Sequence, residues 1–470
     1  MTIDHETGTR GPRSLFAAAA AAADDAVLTR EATEALARRV LGFARADETR
    51  VNVTSGAQGN TRFAVNQVST GGDTRNVVVT VQSSVGARTA SATTNRLDEA
   101  GLRGVVERAE ALARLAPEDP ERLPLLEPQQ YQQAPGWVDA TAALDAAGRA
   151  AAVRAVTEPA RAAGLVTAGY LEHDAGATAV ANSRGLFGYH RQTRASLTVT
   201  MRTPDGTGSG WAGASQNDVR RVDPAAVAAR AIQKARGSAN PVAIEPGRYT
   251  VVLEPSAVAA LVGLLAGSLN ARQADEGRSF FSKAGGGNKI GARVVDERVT
   301  LVSDPFDPEA PGAPFGADGL PAVRTTWIEN GVLRDLAYDR YWAQRSNRAP
   351  NAGGGGTLRM AGGTASLDEL IAGTRRGLLV TRFFYIRTVD PRTILHTGLT
   401  RDGTFLIEDG KITRAVKNMR WNESPVFLLN NLEALGRPER AASSEGGGGA
   451  IVVPPLRARD FTFTSLSDAV

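Results

Sequence analysis

The chain has 470 residues, roughly three average domains' worth of sequence and more than one hydrophobic core usually holds. Hydrophobic residues make up 42% and charged residues 22%, which excludes global disorder, and the 50 glycines lack the every-third spacing of collagen. The formal charge is +4, but the cations are mixed with acids, as in Arg103, Glu107, Arg108, Glu110 and Arg114, so no nucleic-acid footprint is evident.

The run from Ala17 to Ala23 lacks Leu, Ile or Val and is followed at once by Asp24 and Asp25, so it reads as helix rather than signal peptide. Residues 14–43 are rich in strong helix formers and predict a helix. The period then changes. Val51 and Val53, then Phe63, Val65 and Val68, and the run Val77 to Val81 predict strands. Leu102, Val105, Val106, Ala109 and Leu112 return to helical spacing, which gives an α+β layer arrangement. Prolines 117, 120, 124, 128 and 135 interrupt regular structure, and an Ala-rich helix follows at about 138–157, before Pro159. Strands are expected at 165–171, 177–182 and 186–202. Gly208-Ser209-Gly210 reads as a bend, and Val222 to Ala235 as a helix started by Asp223 and Pro224.

A short connection holding Pro241 and Pro246 divides the chain into an N-terminal α+β part, 1–240, and a β-rich C-terminal part, 241–470. The second part opens with a strand, Tyr249 to Glu254, and an apolar helix, Pro255 to Leu269. Asn330-Gly331 and Asp409-Gly410 each sit between strand-like runs and predict hairpins. Leu378 to Ile386 reads as one buried strand. The glycine runs at 353–356 and 446–449 lack the Lys-Ser/Thr of a phosphate loop; they read as flexible loops, with backbone passing close to a ligand or partner as the alternative. No segment reaches the roughly 20 apolar residues of a membrane span, so the expectation is a soluble, cytoplasmic chain.

Chemistry is sparse. Cysteine is absent, which excludes disulfides, a thiol nucleophile and thiolate ligation of metal within the chain. The imidazoles are His5, His173, His190 and His396, and the closest two, His173 and His190, are 17 residues apart. Asp304, Asp307 and Glu309 form the best local set for an oxygen-liganded cation, although Pro305, Pro308 and Pro311 favour a solvent-facing loop. A serine triad stays open because its members meet in space, but no Gly-x-Ser-x-Gly elbow marks a nucleophile. His190 reads as a hydrogen-bonding strand residue, with acid–base catalysis as the alternative.

Several segments, in order, resemble the TldD/PmbA family, also called the modulator of DNA gyrase family. They are Asn182-Ser183-Arg184-Gly185 with Phe187, Gly208-Ser209-Gly210-Trp211, and Ile328-Glu329-Asn330-Gly331-Val332-Leu333. Gly377-Leu378-Leu379-Val380-Thr381, Phe405-Leu406-Ile407-Glu408-Asp409-Gly410, Ser424-Pro425 and Asp460-Phe461-Thr462-Phe463-Thr464 complete the series. The resemblance runs from about residue 48 to 468 and implies a two-part fold with a β-rich second domain. In the TldD branch a His-Glu-x-x-x-His helix and a distant cysteine hold zinc. Laid on that motif without gaps, this chain has Gly263, Leu264 and Ser268 at the two histidines and the glutamate: Gly263 for the first histidine, Leu264 for the glutamate and Ser268 for the second histidine.

The resemblance therefore implies the PmbA branch, also called TldE: a subunit without zinc or catalytic residues of its own, paired with a zinc-bearing TldD-like subunit and acting on unfolded peptides. A homo-oligomeric peptide-binding scaffold, a homodimer included, and a peptidase with an unrecognised site are the alternatives. Neither nucleic acid nor membrane is an expected partner. Arg184, His190 and Trp211 lie in the family-like central region and are candidate peptide-cleft contacts, equally readable as hydrogen-bonding or packing residues.

Overall fold

The structure, a computed structural model, describes residues 27–352, 356–442 and 449–467. The alanine run and the first half of the predicted helix over 14–43 lie outside the described residues, as does most of both glycine runs. The helix is seen as α1 (Arg30–Leu41), whose N-cap Thr29 accepts from the Ala32 N–H.

A six-stranded antiparallel sheet follows, built from β1 (Glu48–Ala64), β2 (Gln67–Val85), β3 (Arg88–Thr94), β4 (Val166–Asn182), β5 (Phe187–Arg202) and β6 (Ser209–Gln216). Its strand order is β3-β2-β1-β4-β5-β6. Three further long helices accompany it, α2 (Glu99–Leu115), α3 (Ala146–Ala162) and α4 (Pro224–Gly237); the helix expected from about 138 is broken, with Asp139–Ala142 a separate single turn. Strand alternation puts Val51, Val53, Val79, Val81, Ala179 and Ala181 on one face, where they pack on α1 and α2. The same face of β4 and β5 carries Leu171, Ala195, Leu197 and Val199 against α3 and α4. All four long helices therefore cover one side of the sheet. The other side keeps half-buried polar groups such as Glu172 and Arg194.

Three further readings need correction in this half. The strands expected at 165–171 and 177–182 are one strand, β4, because antiparallel pairing with β1 and β5 continues through the intervening residues. Pro159 lies inside α3 rather than beyond it. It stands in the last turn, where the missing N–H costs a single hydrogen bond. Ser209 opens strand β6 instead of forming a bend, and Gly210 is there for closeness. A Cβ at Gly210 would lie 2.4 Å from the Ala231 carbonyl oxygen of α4.

The second half holds two sheets. A six-stranded sheet runs in the order Val332–Leu333, Thr325–Glu329, Leu301–Ser303, Thr357–Met360, Ala450–Val453, Glu439–Arg440. In the nine-stranded sheet, β7 (Gly247–Leu253) is central, parallel to Arg376–Val380 and antiparallel to Leu456–Leu466. Val251, Val252 and Leu253 are fully buried, as expected of a strand covered on both faces. From β7 the chain enters α5 (Pro255–Gly267), whose Ala257, Val258, Leu261, Val262 and Leu265 fill the core shared by both sheets. The two hairpins form as expected, with φ of 49° and 77° at Asn330 and Gly331 and 45° and 75° at Asp409 and Gly410. The single strand expected over Leu378 to Ile386 is two strands, Arg376–Val380 and Phe383–Asp390. Between them the Thr381 hydroxyl donates to the Asp402 carbonyl at 3.3 Å, and Arg382 pairs with the Asp402 carboxylate at 3.5 Å.

The two halves meet across a polar seam. Lys234 of α4 pairs with Glu254 at 2.6 Å and also donates to the Trp211 carbonyl at 3.2 Å. The Lys234 and Glu254 side chains are only 9% and 12% exposed, so each charge depends on the other. Ser209 donates to Asp402 at 2.5 Å, and Arg272 binds Glu121 through both carboxylate oxygens at 2.7 and 2.8 Å. Removing one member of a buried pair strands the other charge, at a cost of about 3–5 kcal/mol. Lys234→Met is therefore expected to lose about 3 kcal/mol in urea unfolding, and adding Glu254→Leu to recover most of it. Equal stability of the single variant and the parent would show that the pair contributes nothing.

Candidate functional site at the start of helix α5

Glu254 occupies the N-cap position of α5 but makes no side-chain cap bond, because its carboxylate is engaged by Lys234. Pro255 starts the helix instead, its fixed φ suited to the first turn. The outward face carries Ser256, Ala260, Gly263 and Gly267, spaced i+4, i+3 and i+4, all partly or fully exposed. Among the described residues, a Cβ at Gly263 would meet only the Ile451 Cδ1, at 3.8 Å. Leu264 is half-buried against the core, and Ser268 ends the helix with its hydroxyl donating to the Leu264 carbonyl at 3.0 Å. The three positions laid on the zinc motif thus share one stretch of helix and carry no imidazole or carboxylate. Among the described residues no group of three or more His, Cys, Asp or Glu could hold a metal ion.

Arg184, His190 and Trp211 do not come together. Trp211 pairs with Thr200, ten residues along β5 from His190, which separates them by about 30 Å. Arg184, in the turn between β4 and β5, pairs with Glu48 at 3.3 Å and Glu127 at 3.0 Å and donates to the Leu125 carbonyl. It thereby pins the proline-rich segment to the sheet. Trp211 is buried in the seam, with the Arg382 guanidinium 5.0 Å from its ring centre. His190 is buried beneath Gly136, where an added Cβ would lie 3.2 Å from the imidazole Cε1. It lines a cavity of about 680 Å³ with Arg30, Tyr131, Trp137, Tyr189 and Arg191. His190 Nε2 has no hydrogen-bond partner, and burial pushes its pKa down to about 4. His173 is held near 4 as well, by burial and then by the adjacent Arg149 charge.

The acidic loop is not simply solvent-facing. Asp307 and Glu309 both bind Arg359, at 2.7 and 2.6 Å, and Asp304 lies 3.5 Å from Arg324. Asp307 and Glu309 thereby hold the loop against the strand Thr357–Met360.

Sequence reading missed the cleft that α5 borders. A pocket of about 330 Å³ brings Arg221, Arg230, Ser256 and Arg440 together, and it adjoins a second cavity of about 580 Å³ across Arg230, Glu254 and Glu439. Its members come from four segments spread over more than 200 residues, so no local pattern announces it.

Comparison with known proteins places this geometry. Residues 132–239 match the PmbA/TldA metallopeptidase central domain, and residues 246–465 match the PmbA/TldA metallopeptidase C-terminal domain. A metalloprotease of Methanothermobacter thermautotrophicus is 26% identical over 204 residues, which is 40% of this chain and 43% of that protein. A metalloprotease of Archaeoglobus fulgidus is 26% identical over 159 residues, 32% of this chain and 37% of that protein. The matches therefore span less than half the length of these curated relatives. TldE from Thermococcus kodakarensis has the same fold, with a TM-score of 0.80 at 19% identity over 92% of this chain and 99% of that one. A candidate modulator of a DNA gyrase from Thermotoga maritima also gives 0.80, at 16% identity over 92% and 100%.

The imidazoles of His173 and His190 set a pH dependence. Both stay neutral in the native state well below the usual 6.5, so between 6.5 and about 4 the unfolded chain binds protons that the native chain refuses. Their stabilisation is complete above 6.5 and is lost as pH falls. Glu423, pushed up to about 7 by burial, acts in the opposite direction over much of that range, so the readout is a comparison of variants. Between pH 7.5 and 4 the parent is expected to lose about 3 kcal/mol more unfolding free energy than His190→Gln. Parallel stability curves would mean that His190 is not held neutral.

Proposed function

Because the chain belongs to the PmbA/TldD metallopeptidase family, we propose that it is the non-catalytic, TldE-like subunit of a zinc peptidase assembly acting on unfolded peptides. The observation that carries this reading is helix α5. Its residues do not fit zinc: Gly263 has no donor, Leu264 is apolar, and the Ser268 hydroxyl is engaged by the Leu264 carbonyl. The remaining histidines of the described chain, His173, His190 and His396, are buried in strands of different sheets or far apart along one sheet.

What this chain contributes is shape. The outer face of α5 presents nothing larger than a serine, so an extended peptide backbone can approach the helix closely. The core beneath it is fully packed by Val258, Leu261, Val262 and Leu265, which keeps that wall rigid. The seam pairs hold the six-stranded sheet and α4 against the start of the helix. Zinc and the attacking water belong, in this reading, to a TldD-like partner.

Native mass spectrometry of the protein, purified gently from its own cells, tests the assembly. The expected result is a complex with a second chain that carries a His-Glu-x-x-x-His segment, with zinc travelling with that chain. A metal-free homo-oligomer as the resting species would overturn the proposal. In parallel, a tenfold excess of zinc over the isolated chain is expected to leave its Tm unchanged, since a ligand without a native site does not stabilise the fold. A rise that follows zinc concentration would reveal a site in this chain.

A further inference from the structure

We propose that the 330 Å³ pocket at the start of α5 is a carboxylate subsite that takes the free C-terminus of a peptide; this rests on the peptide-binding role proposed above.

The charges support it. Arg221, Arg230 and Arg440 all line the pocket. Arg440 is partly buried, and its Nη1 donates to two neutral acceptors, the Asn217 Oδ1 at 2.7 Å and the Glu309 carbonyl at 2.9 Å. Burial, and then the positive charges of Arg221 and Arg194, push its pKa down to about 10, with the Asp307 carboxylate acting weakly the other way. A guanidinium held among like charges is stabilised by an incoming anion, and its planar fork matches a carboxylate. Three of the four acids that line the pocket among the described residues are engaged elsewhere. Glu254 is paired with Lys234, Glu309 with Arg359, and Asp223 accepts from the Ala226 N–H as the cap of α4. Glu439 also lines the pocket and is exposed.

A second polar group favours a peptide over a simple anion. Gln216 lines the same pocket, and its Oε1 is buried without a hydrogen-bond partner. A buried acceptor left unmatched is costly, and the N–H of a C-terminal residue is a donor of the right kind. The direction of the peptide follows from helix geometry. Ser256 lines the pocket and lies seven residues, two turns, before Gly263 on the same face of α5. That is about 10 Å along the helix axis, or about three residues of extended chain. A peptide held by its carboxylate would thus bring its third or fourth residue from the end alongside Gly263.

The test uses the full-length protein and fluorescein-labelled penta-alanine, as the C-terminal acid and as the C-terminal amide, read by fluorescence anisotropy. The acid is expected to bind at least tenfold more tightly. Arg440→Gln and Arg221→Gln should each reduce that preference at least fivefold while leaving the amide's affinity unchanged. Arg221 is exposed, so its variant reports on the subsite even if Arg440→Gln weakens the fold, with Tm measured for both. Equal affinity for acid and amide, or an acid preference that survives both substitutions, overturns the subsite and leaves peptide binding intact. Binding of neither peptide also overturns it, while the assembly is judged separately by native mass spectrometry.

Discussion

The buried pair between Lys234 and Glu254 decides how the two halves of this chain meet. Lys234 comes from the last turn of α4, which packs on the six-stranded sheet, and Glu254 ends the central strand of the nine-stranded sheet. Neither charge can be left alone at that depth, so the helix of one half and the strand end of the other are held within a hydrogen bond of each other. The pairing also takes Glu254 away from capping α5, and Pro255 carries the helix start in its place. The cleft beside α5 is a by-product of this join. Its walls are α4 and β6 on one side and the segment Glu439–Arg440 with α5 on the other.

Beneath that cleft, the two faces of a single helix differ in what they pack against. The inner face of α5 is Ala, Val and Leu in a core shared by two sheets, where replacing any large side chain would leave a cavity. The outer face is Ser, Ala and Gly, with little packing to lose. The chain belongs to a metallopeptidase family, and along this helix Gly263, Leu264 and Ser268 carry no imidazole or carboxylate. His173 and His190 are built into strands, where burial keeps them neutral.

Local signals in the sequence were legible where the physics is local. Asp223-Pro224 caps and starts α4, and Asn330-Gly331 and Asp409-Gly410 supply the two successive positive φ values that tight hairpins need. The assignment to helix of residues around Leu102 to Leu112 needed only their spacing. Misreadings arose where a distant partner decides. The break at Thr381-Arg382 depends on Asp402, and hydrophobic residues on both sides conceal it. Gly210 looks like a turn residue until α4 is seen lying on it. The pocket around Arg440 could not be read at all, since Arg221, Ser256 and Arg440 converge only through the join of the halves. The metal-motif positions were found through family resemblance, and their own residues, Gly263, Leu264 and Ser268, resemble ordinary packing.

Gly263 has one more consequence. Glycine within a helix costs roughly 0.5–1 kcal/mol relative to alanine, because it forfeits more backbone freedom on folding. Among the described residues no steric need explains that cost, since a Cβ at this position would meet a single methyl at ordinary contact distance. A scaffold that excludes chemistry by collision cannot be repaired by substitution, whereas one that merely lacks a donor atom can. On that criterion α5 is permissive: its outer face has room beside Gly263, and new ligating groups can be designed into it.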